Sequence, residues 1–337
     1  MDDGGAGGNG RGFVTAEDVA RRAGVSRSAV SRTFTEGASV SPQMRRRVLR
    51  AASALGYRVN RLAQGLIRER SNLVGVLAAN LSTPYIATYL DALSQALLRE
   101  NLQCLLLNAA DEGSNVSRLI DLILEFRVRA IVVISVTPPS AIVRECAANG
   151  VRVVLVNRVL ESARADTIRT DDVAGARLAA EALIRAGCRR PAIVSSATPS
   201  QMRRVKAAAA YFARAGIKAI RWSRGPSRYE TGSQAARDLL ATRDIDSVFC
   251  VTDLLALGFI DTVRAMGRRV PEDISVVGYH DIPQASWQSY RLTTIRQPVG
   301  DLIRAVMQAV LRDGNPRKPL NTVVSQELIE RATVRTR

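Results

Sequence analysis

From Leu73 onward the chain repeats one pattern, and that pattern leaves few folds open. LVGVLAAN, QCLLLNA, AIVVIS, RVVLVNR, PAIVSS, SVFCVT and ISVVGYH are short runs rich in leucine and β-branched residues. Helical stretches separate most of them, near 86–100, 115–127, 139–149, 172–186, 201–215, 231–241 and 253–266. Strands apolar on both faces that alternate with helices form parallel α/β sheets. About 260 residues and some ten strands exceed one comfortable sheet, so two similar lobes are expected. A helix near 298–312 and a strand near 322–329 follow, and are expected to cross back and finish the lobes. Ligands of such folds sit beyond the carboxyl ends of the strands, here in a cleft between lobes.

The first sixty residues follow a different rule. TAEDVARRAGVSRSAVSRTF (15–34) starts with a capping-box pair, Thr15 and Asp18, and carries Val19, Ala20 and Ala23 at helical spacing. Gly24 can take the left-handed backbone of a helix stop. Val25 fills the corner and Ser26 can cap a second helix, with Arg27, Ser28 and Arg32 outside and Ala29, Val30 and Phe34 available to pack. Two short helices joined by a tight glycine turn form the helix-turn-helix unit, whose second helix enters the DNA major groove. Ser41-Pro42 then opens a third helix. Val48, Leu49, Ala52 and Leu55 give it an apolar face, Arg45, Arg46, Arg47 and Arg50 a basic one, and Gly56 ends it. NRLAQGLI (60–67) is a short potential helix, marginal alone.

Charge supports this division. The formal net charge is +17. Residues 1–70 hold 13 Arg against 6 acidic residues, a net +7, which leaves +10 for the other 267. Concentrated arginine suits phosphate binding. The start, MDDGGAGGNGRG, has neither a basic nor an apolar signal region, so a cytoplasmic location is expected. Its Gly5-x-Gly7-x-x-Gly10 lacks the strand and βαβ frame of a dinucleotide site. Four dispersed cysteines and a single histidine argue against zinc. No metal or cofactor is expected, and no apolar run reaches the ~20 residues of a membrane span.

Together these stretches resemble the LacI/GalR family of bacterial transcription regulators, over about residues 13–330. The resemblance rests on VTAEDVARRAGVSRSAVSRTF, the S-P-x-x-R-x-x-V helix ending in LGY, and NRLAQGL. VVLVNR, ALIRAGCRRPAIV, FCVTDLLALG, VPEDISVVGYHD and LTTIRQP follow in the family's order. It implies a helix-turn-helix head (13–59) after a disordered tail (1–12), a hinge and linker (60–72), and a periplasmic-binding-protein-like two-lobed α/β effector domain (73–337). Lobe 1 would span about 73–167 plus 296–318, and lobe 2 about 168–295 plus 319–330. It implies a homodimeric repressor on a pseudo-palindromic double-stranded DNA operator, controlled by a small-molecule effector in the cleft. The chain ends in RATVRTR with no leucine heptads, so a dimer rather than a tetramer is expected.

Carried over by position, Arg27 and Ser28 read base edges, arginine suiting guanine O6 and N7. Arg32 lies one turn on, and Thr15, Ser31 and Asn60 are candidate phosphate contacts. Leu66 matches the wedge that opens central base steps, and Ala63 the small residue that lets hinge helices fit the groove. The cleft candidates are Tyr85, Ile86, Arg158, Ser200, Arg204, Asp253 and His280. His280 stands where the family usually has an aspartate that accepts from sugar hydroxyls. With Arg158 and Arg204 near, a cationic His280 would favour an acidic effector such as an organic acid, sugar acid or sugar phosphate; the alternative is a neutral sugar to which His280 donates one hydrogen bond, or for which Asp281 takes over. The competing readings are a solute-binding protein of the same two-lobed fold, which predicts a signal peptide and no basic head, and an enzyme such as a sugar kinase, for which no GxxxxGK[ST] loop is present.

Overall fold

The computed structural model describes residues 13–35, 37–59, 71–109, 116–134, 137–158, 160, 164–196, 201–312 and 319–336. It divides into two units at Ser71/Asn72. In the first, α1 (Ala16–Ala23), α2 (Arg27–Thr33) and α3 (Pro42–Leu55) surround Val19, Ala20, Ala23, Val30, Val48, Ala51 and Ala52. Each helix starts on a hydroxyl cap: Thr15, Ser26 and Ser41 accept from the backbone N–H of Asp18, Ala29 and Met44. Gly24 (φ 61) and Gly56 (φ 65) end α1 and α3 in the left-handed region, where a side chain would be strained. Leu49, expected in this core, is 44% exposed, and Ala51 takes its place. Val48 and Ala52 are buried as expected, so the α3 stripe runs through 48, 51, 52 and 55 and only Leu49 falls outside it.

The second unit holds two six-stranded sheets. Their strands are β1 (Leu73–Ala78), β2 (Gln103–Asn108), β3 (Ala130–Ile134), β4 (Arg152–Val156), β5 (Asp166–Thr170), β6 (Pro191–Ser195), β7 (Ile220–Ser223), β8 (Ser247–Cys250), β9 (Ser275–His280), β10 (Thr293–Arg296), β11 (Asn321–Val324) and β12 (Glu327–Ile329). The orders are β11-β5-β4-β3-β1-β2 and β12-β10-β9-β8-β6-β7, parallel except for β10 with β12. The helices are α4 (Pro84–Arg99), α5 (Val116–Glu125), α6 (Ser140–Ala148), α7 (Asp172–Arg185), α8 (Met202–Arg214), α9 (Tyr229–Thr242), α10 (Asp253–Ala265) and α11 (Val299–Leu311). The first sheet has a packed core on each face, one with Tyr89, Leu93 and Val306, the other with Ile123, Val133 and Leu155. Phe212, Phe249 and Phe259 anchor the second lobe. Each such fully buried apolar side chain stabilises the fold by about 1.5–3 kcal/mol.

Three crossings join the lobes: β5 to α7, β10 to α11, and β11 to β12. Two expected boundaries are corrected here. The first crossing follows Thr170, not residue 167, because β5 pairs with β4. The expected single strand near 322–329 is two: β11 pairs with β5 in the first lobe, and β12 with β10 in the second. Residues 321–324 thus belong to lobe 1. No helix among the described residues is long and apolar enough to cross a membrane.

Candidate functional site

On the head, Arg27, Ser28 and Arg32 are exposed along α2 and Ser31 is half-buried. The face is held from beneath by Ala29 and Val30, both buried. Thr15 completes its capping box: its hydroxyl donates to Asp18 Oδ2 (2.7 Å) and accepts from Asp18 N, while its own N–H donates to the same carboxylate (2.9 Å). These bonds hold the Asp18 carboxyl below its ordinary range. One of the expected basic-face arginines is spent internally, since Arg47 Nη2 donates to Ala23 O (2.6 Å) and Gly24 O, closing the carboxyl end of α1. Asn60, Ala63 and Leu66 lie outside the described residues, as does Ser200 in the cleft.

The cleft is organised around Arg204, which is buried in the first turn of α8. Its Nε donates to Asp172 Oδ1 (3.0 Å) and its Nη1 to Val251 O (3.0 Å). Nη1 also lies 3.1 Å from His280 Nε2, and the guanidinium carbon sits 3.8 Å above the Tyr279 ring. A guanidinium only donates, so His280 Nε2 accepts and the imidazole is neutral with its proton on Nδ1. Burial, then the Arg204 charge, hold the His280 pKa well below its ordinary value. The expected cationic His280 is therefore corrected. The charge on Arg204 is already balanced by Asp172, and a second cation 3.1 Å away would be repelled.

Tyr85, from the first turn of α4 in lobe 1, stacks on His280 of lobe 2 with centroids 4.5 Å apart and planes 14° from parallel. Asn157 orients it: Nδ2 donates to the Tyr85 hydroxyl (3.4 Å) while Oδ1 accepts from Thr170 N (2.9 Å). Arg158 is half-buried beside them, its Nη1 donating to Asn157 O (3.0 Å).

Two other expected cleft residues have different tasks. Ile86 is 4% exposed and packs into the first-lobe core. Asp253 is fully buried; Oδ1 accepts from the Thr294 hydroxyl (2.5 Å) and Oδ2 from Ile282 N (2.8 Å). Burial pushes its carboxyl up to about 6. It braces the end of β9 from inside the lobe, against a backbone where a Cβ at Gly278 would collide with its Oδ1. Asp281, beside His280, is also committed, to Arg296 (2.7 Å) and Arg331 (2.7 Å).

Sequence reasoning missed four members of this site. Asp172 neutralises Arg204, and the Tyr279 hydroxyl lies 2.9 Å from Asp172 Oδ1 and 2.8 Å from Gln326 Oε1, tying two crossings to β9. Gln297, in the crossing from β10 to α11, is 2% exposed, and neither its amide oxygen nor its nitrogen has a partner among the described residues. It lines a cavity of about 310 Å³ whose wall also holds Tyr85, Thr88, His280, Pro298 and the charged pair Asp281 and Arg296. Buried amides are almost always satisfied, so a glutamine without a partner on a cavity wall is a candidate ligand contact. LTTIRQP contains this residue, but nothing local shows that its side chain turns inward.

A three-helix head with an exposed basic second helix, followed by a two-lobed α/β body with a polar cleft, defines a ligand-responsive DNA-binding regulator. Comparison with known proteins gives the family. Residues 15–60 match the model of bacterial regulatory proteins of the lacI family, and residues 180–334 that of the periplasmic binding protein-like domain. The HTH-type transcriptional regulator MalR of Streptomyces coelicolor is 30% identical over 334 residues, which cover 94% of this chain and 95% of the relative. Among solved structures, the Lac repressor dimer bound to operator and the anti-inducer ONPF superposes with a TM-score of 0.84 at 24% identity, covering 96% and 99% of the two chains. The complex of the transcriptional regulator CelR with cellobiose gives 0.69 at 28% identity, covering 95% and 99%. The chain belongs to the lacI family of bacterial regulatory proteins: it is a DNA-binding transcriptional regulator with an effector-binding domain, not an enzyme.

Proposed function

We propose that this regulator is a repressor that binds a pseudo-palindromic operator as a homodimer and answers to a small, neutral, hydrogen-bonding effector in the inter-lobe cleft. One observation carries the effector class: the charges around the cleft are paired, Arg204 with Asp172 and Arg296 with Asp281 and Glu327, while Gln297 on the cavity wall has neither donor nor acceptor partner among the described residues. An anion would need a net positive charge that these pairs do not leave. The regulator CelR, solved with cellobiose, is a relative whose ligand has this character.

The dimer reading is supported by the outer edge of lobe 1. Among the described residues β2 is the end strand of its sheet, and Cys104 and Leu106 on it are exposed, as is Leu98 on the neighbouring α4. Open apolar edges invite pairing, and a second copy would cover this one. On the head, Arg27 and Ser28 would read bases.

A thermal-shift screen with neutral sugars, sugar acids and sugar phosphates tests the effector class. A ligand at 100 times its dissociation constant adds about 2.7 kcal/mol. At about 2–4 °C per kcal/mol for a body of this size, the midpoint should rise by about 5–11 °C. Neutral compounds should give the rise; a response to anions alone overturns the effector class. Sedimentation should show a dimer at micromolar concentration, and Leu106→Asp should shift it toward monomer.

A further inference from the structure

His280 does more than replace an acceptor. We propose that its imidazole is an intrachain stand-in for the effector: it fills the Arg204 end of the cleft, stacks on Tyr85 of the opposite lobe, and must be displaced by an incoming ligand. The inference rests on the cleft being the effector site, although its test does not.

Three observations converge. The stack is a direct contact between lobes, made by the first turn of α4 and the last residue of β9. Arg204 Nη1 donates to Val251 O and its other N–H faces His280 Nε2. An effector oxygen that approaches Nη1 therefore competes with the imidazole for the same N–H. The backbone at His280 is also held in an unfavourable region, with φ at 118, followed by Asp281 at 56. Asp281 and Ile282 are pinned by Arg296, Arg331 and Asp253. The strain thus includes the residue whose side chain has to move, next to neighbours that are held in place.

Displacement carries a proton signature. Around His280 stand Arg204 from α8 with Asp172 of α7 behind it, Tyr85 from α4, and Tyr279 on its own strand. The nearby Asp281 and Asp253 carboxylates are turned to Arg296, Arg331, Thr294 and Ile282 N. Stacked, the imidazole must stay neutral to accept from Arg204. Displaced into water, it regains an ordinary pKa of about 6.5. Displacement then takes up a proton below that pH, so effector affinity rises as the pH falls, by up to about tenfold per pH unit. The effector class follows: a group that accepts from Arg204 and a flat or ring-shaped face that can lie on Tyr85.

His280 is the single histidine of the chain, so full-length protein with labelled histidine gives one imidazole signal. We expect an Nδ1–H tautomer that stays neutral below pH 6 and ring protons shifted upfield by Tyr85, a shift that Tyr85→Leu removes. In His280→Gly, free millimolar imidazole should refill the slot and raise the melting midpoint, and should fail to do so in wild type or in His280→Gly with Tyr85→Leu. A histidine that titrates near 6.5 with no Tyr85-dependent shift overturns the proposal, as does His280→Gly that folds but ignores imidazole. If that variant does not fold, the Tyr85→Leu spectrum decides. Imidazole rescue in a protein that no screened compound stabilises would fault the effector reading and leave the latch standing.

Discussion

The Arg204–Asp172 pair sets the charge of the cleft, and a double-mutant cycle measures whether it does. The two side chains are 9% and 17% exposed. Replacing Arg204 by Met leaves the Asp172 carboxylate with the Tyr279 hydroxyl alone, and Val251 O without its donor. Breaking a buried pair by removing one partner costs about 3–5 kcal/mol, and the lower end applies because Asp172 can reach some water. The orphaned carbonyl adds about 1 kcal/mol. Arg204→Met should therefore cost about 4 kcal/mol, or about 8–16 °C in melting midpoint. Asp172→Asn keeps a hydrogen-bond acceptor but strands a buried guanidinium, for about 3 kcal/mol. In the double variant neither charge is stranded, so its cost should fall short of the sum by about 2 kcal/mol or more. Urea unfolding followed by fluorescence is a suitable assay, because Trp222 is buried in lobe 2 and reports its integrity. Additivity to within about 0.5 kcal/mol would refute the reasoning: the pair would not be coupled, Arg204 would be a free cation, and the case for a neutral effector would fall with it.

Two further outcomes are expected. The Asp253 carboxyl titrates at about 6 in the folded chain against an ordinary 3.8, so the native state binds the extra proton and stability rises as pH falls from about 6 toward 4. The gain is about 3 kcal/mol, and Asp253→Asn should lack it when the pH dependence of urea unfolding is compared with wild type. Arg27→Ala should weaken operator binding by about 5- to 150-fold, the equivalent of about 1–3 kcal/mol for a lost bidentate base contact. Its melting midpoint should not change, since the side chain is exposed; gel-shift titration at fixed salt checks the first and calorimetry the second.

Local chemistry made the head and most of the sheet strands legible. Capping hydroxyls at Thr15, Ser26 and Ser41 and the glycines after α1 and α3 specify helix ends within a few residues of themselves. The strands that escaped notice, β5 (DTIRT), β7 (IRWS) and β10 (TTIR), are short and carry polar residues. No run of apolar side chains announces them. The break between β11 and β12 was hidden for another reason: residues 325–326 carry no strong turn signal, and they separate two strands only because each pairs with a different sheet.

The amino-acid sequence by itself determined the helix-turn-helix head, the two-lobed α/β body and the family, because periodicity, caps and motif order are properties of neighbouring residues. It also placed Arg204, Tyr85 and His280 in one cleft. Only the tertiary structure decided their chemistry. Whether His280 is a cation depends on an arginine 76 positions away, and whether that arginine is free depends on Asp172, 32 positions from it. Asp253 looked like a ligand contact until its two oxygens were found on Thr294 and Ile282. Charge state and hydrogen-bond vacancy are set by partners distant in the chain, and folding alone brings those partners together.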